Sequence, residues 1–447
     1  MHDFRRIADR IAADIVSGRL RPGERLPPQR QFARRHGIAP STAERAYGEL
    51  VRRGLVVGEV GRGTFVRAGV PVRPGRGIVE DAGAPVNLEL NYPSAEGQSE
   101  LLAGALAPLL RPDVLTEALR PAAANGTPAA RAATAALLTT PGWRPGADRV
   151  LFTGNARQAV AAALASLVRP GGRVGVEELT YPVVKEIAAR LGLTLVPLAT
   201  DADGLRPESV AAAHRTAPLS ALYVQPTLHN PTSVTMSRAR RRQLALTVED
   251  LGIPVVEDRI WSFLADTDDP LAAHAPALTH VVDGLSKRVA PGLTVGFLVV
   301  PGERVAAVAD AVRSGGWSAG RFALEAAAGW MADGTVARLV GAKRAEAARR
   351  QRLAARCLDG FAVRSDPRAY YAWWELPAPW RAETFTAAAA ALGIAVSPGP
   401  SFAVDPNRTP AAVRLGLASA PTADLERALR TLAELAARGA GQSSRPS

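Results

Sequence analysis

Apolar residues recur every three or four positions at the start of the chain. Phe4, Ile7, Ala8, Ile11, Ala12 and Ile15 mark one face of a helix. Gly18 suits a C-terminal stop, and Arg21-Pro22-Gly23-Glu24-Arg25-Leu26-Pro27 reads as a turn. A second short helix is expected from about Pro28 to Arg35. After the turn His36-Gly37-Ile38, a third places Ala43, Ala46, Tyr47 and Leu50 on one face. Ser41-Thr42-Ala43-Glu44 has the spacing of a capping box, and Pro40 suits a helix start. Gly54-Leu55-Val56-Val57 then opens a hairpin, with a tip at Gly61-Arg62-Gly63-Thr64 and a return through Phe65-Val66. Between Ala68 and Pro85 the periodicity fades while Pro71, Pro74, Gly75, Gly77, Gly83 and Pro85 accumulate. That composition reads as an extended tether, or as a strand lying along the large domain. From Val86 onward short apolar runs alternate with helical stretches, the pattern of an α/β domain. The boundaries expected are a head at 1–68, a linker at 69–85, a large domain at 86–437 with a small C-terminal α/β subdomain, and a disordered tail at 438–447.

Charge separates these parts. The 447 residues carry a formal +12, of which residues 1–68 hold +7 from 14 Arg and 7 acids. The head is thus the expected polyanion-binding part. At 47% hydrophobic, the chain has material for a large core. A single cysteine, Cys357, excludes an intrachain disulfide framework and fits a reducing cytoplasm. Met1-His2-Asp3-Phe4-Arg5-Arg6 leads into an amphipathic helix rather than a signal peptide, and no apolar run is long enough to span a membrane.

Three helices and a hairpin make a winged helix-turn-helix, mainly α with a β wing. The third helix would enter the major groove of double-stranded DNA, and the wing would lie on a neighbouring phosphate or in the minor groove. Arg30, Ser41, Thr42, Arg45, Arg62 and Gly63 are the candidate contacts. Each arginine alone reads more readily as a solvated charge than as a DNA contact; the order of elements is the more specific signal. Gly18, Pro22-Gly23, Leu26-Pro27, Arg30, Ala33, Gly37, Thr42, Ala46-Tyr47, Leu50, Gly54 and Gly61-Arg62-Gly63-Thr64-Phe65-Val66 resemble the GntR family of bacterial repressors. Ala39-Pro40 departs from it where the family often has Ser-Arg.

In the large domain, several strand ends carry candidate chemistry. The run 149–153 leads through Gly154-Asn155-Ala156 into a helix, a small-residue turn that can cradle a phosphate. Tyr181, after the strand at 174–177, reads either as a ring-stacking residue or as a half-buried aromatic. The run 220–224 delivers Asn230 ahead of Pro231, and 253–257 delivers Asp258, which reads as a ring-nitrogen partner or as a helix cap. The run 279–285 delivers Ser286-Lys287. The chain has three lysines, Lys185, Lys287 and Lys343, against 51 arginines. A lysine kept here suggests a task closed to guanidinium, such as forming a Schiff base with an aldehyde. Asn230, Asp258 and Lys287 stand 28 and 29 residues apart, each at a strand end, where α/β sheets bind ligands. His229 has no metal-ligand partners at suitable spacing, and no metal site is expected.

Together these residues resemble the fold type I aminotransferase domain, from about Val86 to Ala437. With a GntR-like head, the whole chain resembles the MocR-type subfamily of transcriptional regulators. The resemblance implies pyridoxal 5'-phosphate (PLP) joined to Lys287, with Gly154, Asn155, Ala156, Tyr181, Asn230, Asp258, Trp261, Ser286 and Thr294 around it. It assigns an amino effector's carboxylate to Arg414, and implies a cytoplasmic head-to-tail homodimer with exchanged heads. Trp261 and Thr294 depart from the pattern, which often has Tyr and Arg there; Arg288 is a candidate substitute for the missing phosphate cation. The expectation is a PLP-dependent regulator with slow or absent turnover. The alternatives are an active PLP-dependent aminotransferase carrying a DNA-binding domain, and a regulator that no longer holds PLP.

Overall fold

The computed structural model describes residues 4–16, 19–21, 23–59, 63–66, 84–265, 269–293 and 295–442. Gly18, Pro22, Gly61, Arg62, Thr294 and nearly all of the linker lie outside the described residues.

The head has α1 (Phe4–Val16), β1 (Arg25–Leu26), α2 (Gln29–His36), α3 (Pro40–Arg52), β2 (Val56–Glu59) and β3 (Gly63–Val66). Ala8, Ile11, Phe32, Ala43, Tyr47, Leu50 and Val56 share one core, so the helical periodicity becomes a three-helix packing. The Tyr47 hydroxyl donates to Pro27 O at 2.8 Å, fastening α3 to the turn before α2. Two details differ from the sequence reading. Arg25–Leu26, read as part of a turn, is a strand pairing antiparallel with β3. The capping box is absent: α3 starts on Pro40, with Ala39 at the N-cap and no side-chain cap. Proline presets the first helical φ, so Ser41 falls inside the helix rather than ahead of it.

The large domain begins with β4 (Val86–Asn87). Its sheet uses β5 (Val150–Thr153), β6 (Arg173–Glu177) and β7 (Thr194–Leu198). A hairpin of β8 (Thr200–Asp201) and β9 (Gly204–Leu205) lies outside it. The sheet continues with β10 (Ala221–Val224), β11 (Val255–Asp258), β12 (Thr279–Gly284) and β13 (Gly296–Val299). The strand order is β5-β13-β12-β11-β10-β6-β7. Strand β13 runs antiparallel to both neighbours, and the other pairings are parallel. Strands β5 and β10–β13 are buried along their whole length, as a sheet covered by helices on both faces requires. The C-terminal ends of β10, β11 and β12 therefore share one edge.

The small subdomain contains β14 (Val363–Ser365), β15 (Tyr371–Glu375), β16 (Ile394–Ala395), β17 (Ser397–Pro398) and β18 (Ala412–Gly416). Strand β4 pairs in parallel with β16, so the residues leaving the linker are tied to this subdomain. The head rests on the same subdomain: the Arg381 guanidinium stands 3.6 Å from the Phe65 ring centroid and donates to Gly23 O. The last helix runs from Thr422 to Gln442, past residue 437. The tail expected to be disordered from 438 is thus helical for five more residues, although Gly439 and Gly441 are poor helix formers. Residues 443–447 lie outside the described set.

Candidate functional site

A cavity of about 200 Å³ opens where the large sheet meets the small subdomain. Asn155, Ala156, Tyr181, Asn230, Asp258, Trp261, Ser286, Lys287 and Arg414 all line it. The shared edge explains this gathering. Parallel neighbours β10, β11 and β12 end side by side, so residues 28 and 29 apart in sequence converge in space.

Asp258 is fully buried and heavily bonded. Its Oδ2 accepts from the Tyr223 hydroxyl at 2.7 Å and from Gln225 Nε2 at 3.0 Å, and its Oδ1 accepts from Ile260 N at 3.0 Å. Burial raises its pKa, while those three donors oppose the rise. Gln225 extends the network: its N–H donates to Glu177 Oε1 at 2.8 Å, and its Oε1 accepts from Asn230 N at 3.2 Å. Burial pushes the Glu177 carboxyl up to about 8.

Lys287 Nζ donates to Asn91 O at 2.7 Å and lies 4.3 Å from the Tyr92 ring centroid and 5.2 Å from that of Trp261. The rarity of lysine does not single it out. Lys185 Nζ donates to Ser401 O and Ala403 O, at 2.6 and 3.0 Å. Lys343 Nζ donates to Lys287 O and Val289 O, at 3.1 and 2.6 Å, and burial pushes its amine down to about 7. Each of these uses a compact ammonium to gather two carbonyls. Position in the cavity, not scarcity, distinguishes Lys287.

The helix Ala156–Leu167 presents its N-terminus to the cavity. Asn155 caps it by accepting from Gln158 N at 3.0 Å. Gly154 is not among the lining residues; its N–H donates to Trp317 O at 3.1 Å. Arg157, which the sequence reading passed over, lines the cavity and donates from Nε to the Tyr181 hydroxyl at 3.1 Å. Arg288 does not take this place: it is buried, ion-paired with Asp283 and stacked 5.2 Å from the Phe263 ring centroid. A buried carboxylate five residues earlier, on β12, captured it, a choice invisible in a linear motif. Gly296 of β13 closes against the cradle. A Cβ there would lie 2.2 Å from Asn155 C and 2.6 Å from Ala156 N. Those are backbone atoms that cannot swing aside, so Gly296→Ala is expected to cost about 1–3 kcal/mol in thermal unfolding and to weaken anion binding at the cradle.

Arg414 on β18 lines the same cavity and is buried. Its Nη2 donates to Ser397 Oγ at 3.0 Å and to Glu89 O, and its Nε has no partner. Burial pushes its pKa down to about 10. A desolvated guanidinium held this way is prepared for an anion. Glu89, Leu90, Asn91 and Tyr92 complete the wall. They come from the stretch after β4.

In the head, Arg30, Ser41 and Arg45 are exposed and Thr42 is half-buried. Arg45 leans toward Phe4, 6.0 Å from its ring centroid. Gly63 has φ +126°, and a Cβ there would strike Arg25 Nε at 2.7 Å. Among the described residues, no group of three or more His, Cys, Asp or Glu could hold a metal ion, and no helix is long and apolar enough to cross a membrane.

Residues 119–432 match the family model of aminotransferase class I and II, and residues 4–66 that of the bacterial regulatory proteins of the gntR family. The chain is 28% identical over 435 residues to the uncharacterized HTH-type transcriptional regulator YdeF of Bacillus subtilis, covering 97% of this chain and 94% of that protein. It is 25% identical over 348 residues to the HTH-type pyridoxine biosynthesis transcriptional regulator PdxR of Corynebacterium glutamicum, covering 74% of this chain and 73% of that one. An archaeal alanine:glyoxylate aminotransferase shares the fold with a TM-score of 0.73 at 20% identity, covering 79% of this chain and 91% of its own. The aspartate aminotransferase of Thermus thermophilus with maleate gives 0.69 at 23%, covering 79% and 92%.

Proposed function

The chain belongs to the aminotransferase class I and II family and carries a gntR-type head in the plan of MocR-type regulators, and from that premise we propose that it is a PLP-dependent transcriptional regulator. The fold class is PLP-dependent in general, and the gntR-type head is a DNA-binding module. The observation that carries the finer reading is a single cavity. It holds the Lys287 amine, the Asp258 carboxylate, a helix N-terminus and a buried guanidinium whose Nε lacks a partner.

The residues fit PLP. Lys287 offers the amine for its aldehyde. Asp258, clamped by Tyr223 and Gln225, would stay ionised beside a protonated ring nitrogen, since a facing cation opposes the upward pull of burial. Asn230 and Tyr181 would flank the ring. The N-terminus of Ala156–Leu167, with Ser286 and Arg157, would hold the phosphate; Arg157 supplies there the charge that Thr294 does not. When bound, PLP supplies an electrophilic carbonyl and an electron-withdrawing ring. Arg414 would grip the carboxylate of an amino effector. A shift in the large domain would then reach the head through the small subdomain, where Arg381 meets Phe65 and Gly23. A head-to-tail homodimer and a cytoplasmic location belong to the same proposal; exchange of heads between protomers does not, because the head packs on its own chain's small subdomain.

PLP titration of the protein, followed by visible absorbance and by footprinting on the DNA upstream of its own gene, tests the reading. A protein that retains no PLP band once free cofactor is removed overturns it. Multiple turnovers with amino donors and keto acids would instead favour the active aminotransferase. DNA affinity is expected to fall steeply with salt, by about 0.9 log units per log unit of salt for each phosphate neutralised. Arg45→Ala is expected to weaken binding across sequences and lower that slope by about one. A flat salt dependence would remove the head from the DNA interface.

A further inference from the structure

One charged group in the cavity has no task in holding PLP or in gripping a carboxylate. The charged side chains lining it are Glu89, Arg157, Asp258, Lys287 and Arg414. Asp258 is held by Tyr223 and Gln225, Arg157 bonds Tyr181, Lys287 bonds Asn91 O, and Arg414 bonds Ser397 and Glu89 O. The Glu89 carboxylate makes no hydrogen bond or ion pair among the described residues. It is half-buried on the cavity wall, and its own backbone carbonyl receives Arg414 Nη2. The Arg414 charge acts on the Glu89 carboxylate, so the two lie near one another on the cavity wall. Burial pushes the Glu89 carboxyl up, and the Arg414 charge resists that push only in part. A wall carboxylate without a cation bonded to it is a costly arrangement, which a ligand cation would relieve.

We propose that Glu89 selects the effector, and that the cavity takes an amino acid bearing a second cation on its side chain, an ammonium or a guanidinium. This rests on the reading of Arg414 as the carboxylate grip. With the ligand carboxylate on Arg414, a side-chain cation turned back toward the same wall meets Glu89. A dicarboxylic amino acid would instead bring a second anion against that carboxylate. Selection arises as much from that repulsion as from the attraction.

The test uses wild-type protein and Glu89→Gln, both saturated with PLP and titrated with L-ornithine, L-lysine, L-norleucine and L-glutamate. Binding is read by visible absorbance and by calorimetry. In wild type the basic amino acids are expected to bind about tenfold more tightly than norleucine, as one charge-assisted contact allows, with glutamate weakest. Glu89→Gln is expected to lose that tenfold preference and to improve glutamate. Equal affinities in wild type, a preference for glutamate, or an unchanged ranking in Glu89→Gln would each overturn the proposal while leaving the cofactor reading intact. A wild-type protein that takes up no PLP would overturn the cofactor reading, and this one with it.

Discussion

Lys287→Ala is expected to show no aldimine band once free PLP is removed and to lose the effect of PLP on DNA binding. Among the described residues lining the cavity, the amine is the only side chain able to form a Schiff base with an aldehyde, because the guanidinium groups of Arg157 and Arg414 are not nucleophiles at neutral pH. The fold should survive. The side chain gives up one hydrogen bond to Asn91 O and its contacts with the Tyr92 and Trp261 rings. The backbone carbonyl of residue 287 keeps its bond from Lys343. Lys287→Arg separates charge from chemistry: it restores a cation over the same rings yet should equally lack the band. Absorbance after removal of free PLP, with thermal unfolding as the control, reads both variants. A retained band that borohydride reduction fixes to the protein in either would show that another amine carries the cofactor.

Arg414→Ala is expected to leave the PLP band in place and to weaken an amino-acid effector by about 2–5 kcal/mol, at least about thirtyfold in affinity. The estimate follows from the setting of the side chain. The guanidinium is buried with its Nε unpartnered, and burial pulls its pKa down to about 10, so an arriving carboxylate relieves a desolvated charge. Strand β18 fixes its aim, with Arg414 in register between Trp373 of β15 and Ser397 of β17. Arg414→Lys should recover little, since a point charge cannot reproduce a two-pronged grip. Effector titration of PLP-loaded protein decides the matter; unchanged affinity would remove Arg414 from the effector site.

Much of the site was legible in sequence, for a definite reason. Residues that end adjacent parallel strands must come together, and three apolar runs ending in Asn230, Asp258 and Lys287 announce such strands. Helical periodicity in the head likewise named its core, since Ala8, Ile11, Ala43, Tyr47 and Leu50 all face inward. What failed was pairing. Arg288 looked free to meet a phosphate until Asp283 captured it. Ser41 looked like a cap until Pro40 started the helix. Lys287 looked unusual for being a lysine, although Lys185 and Lys343 are kept for carbonyl contacts of their own.

By itself, then, the amino-acid order determined a DNA-binding head, an α/β body and the strand ends carrying the central chemistry. Those rest on local periodicity and on the few connections that parallel strands allow. Only the tertiary structure decided the walls. Glu89, Asn91 and Tyr92 reach the cavity from about 200 residues before Lys287, the contact with Asn91 O spanning 196 positions. Arg157 enters because β13 inserts antiparallel between β5 and β12 and sets Gly296 against the cradle. Such meetings depend on strand order and register across the whole sheet, information that no short window of sequence contains.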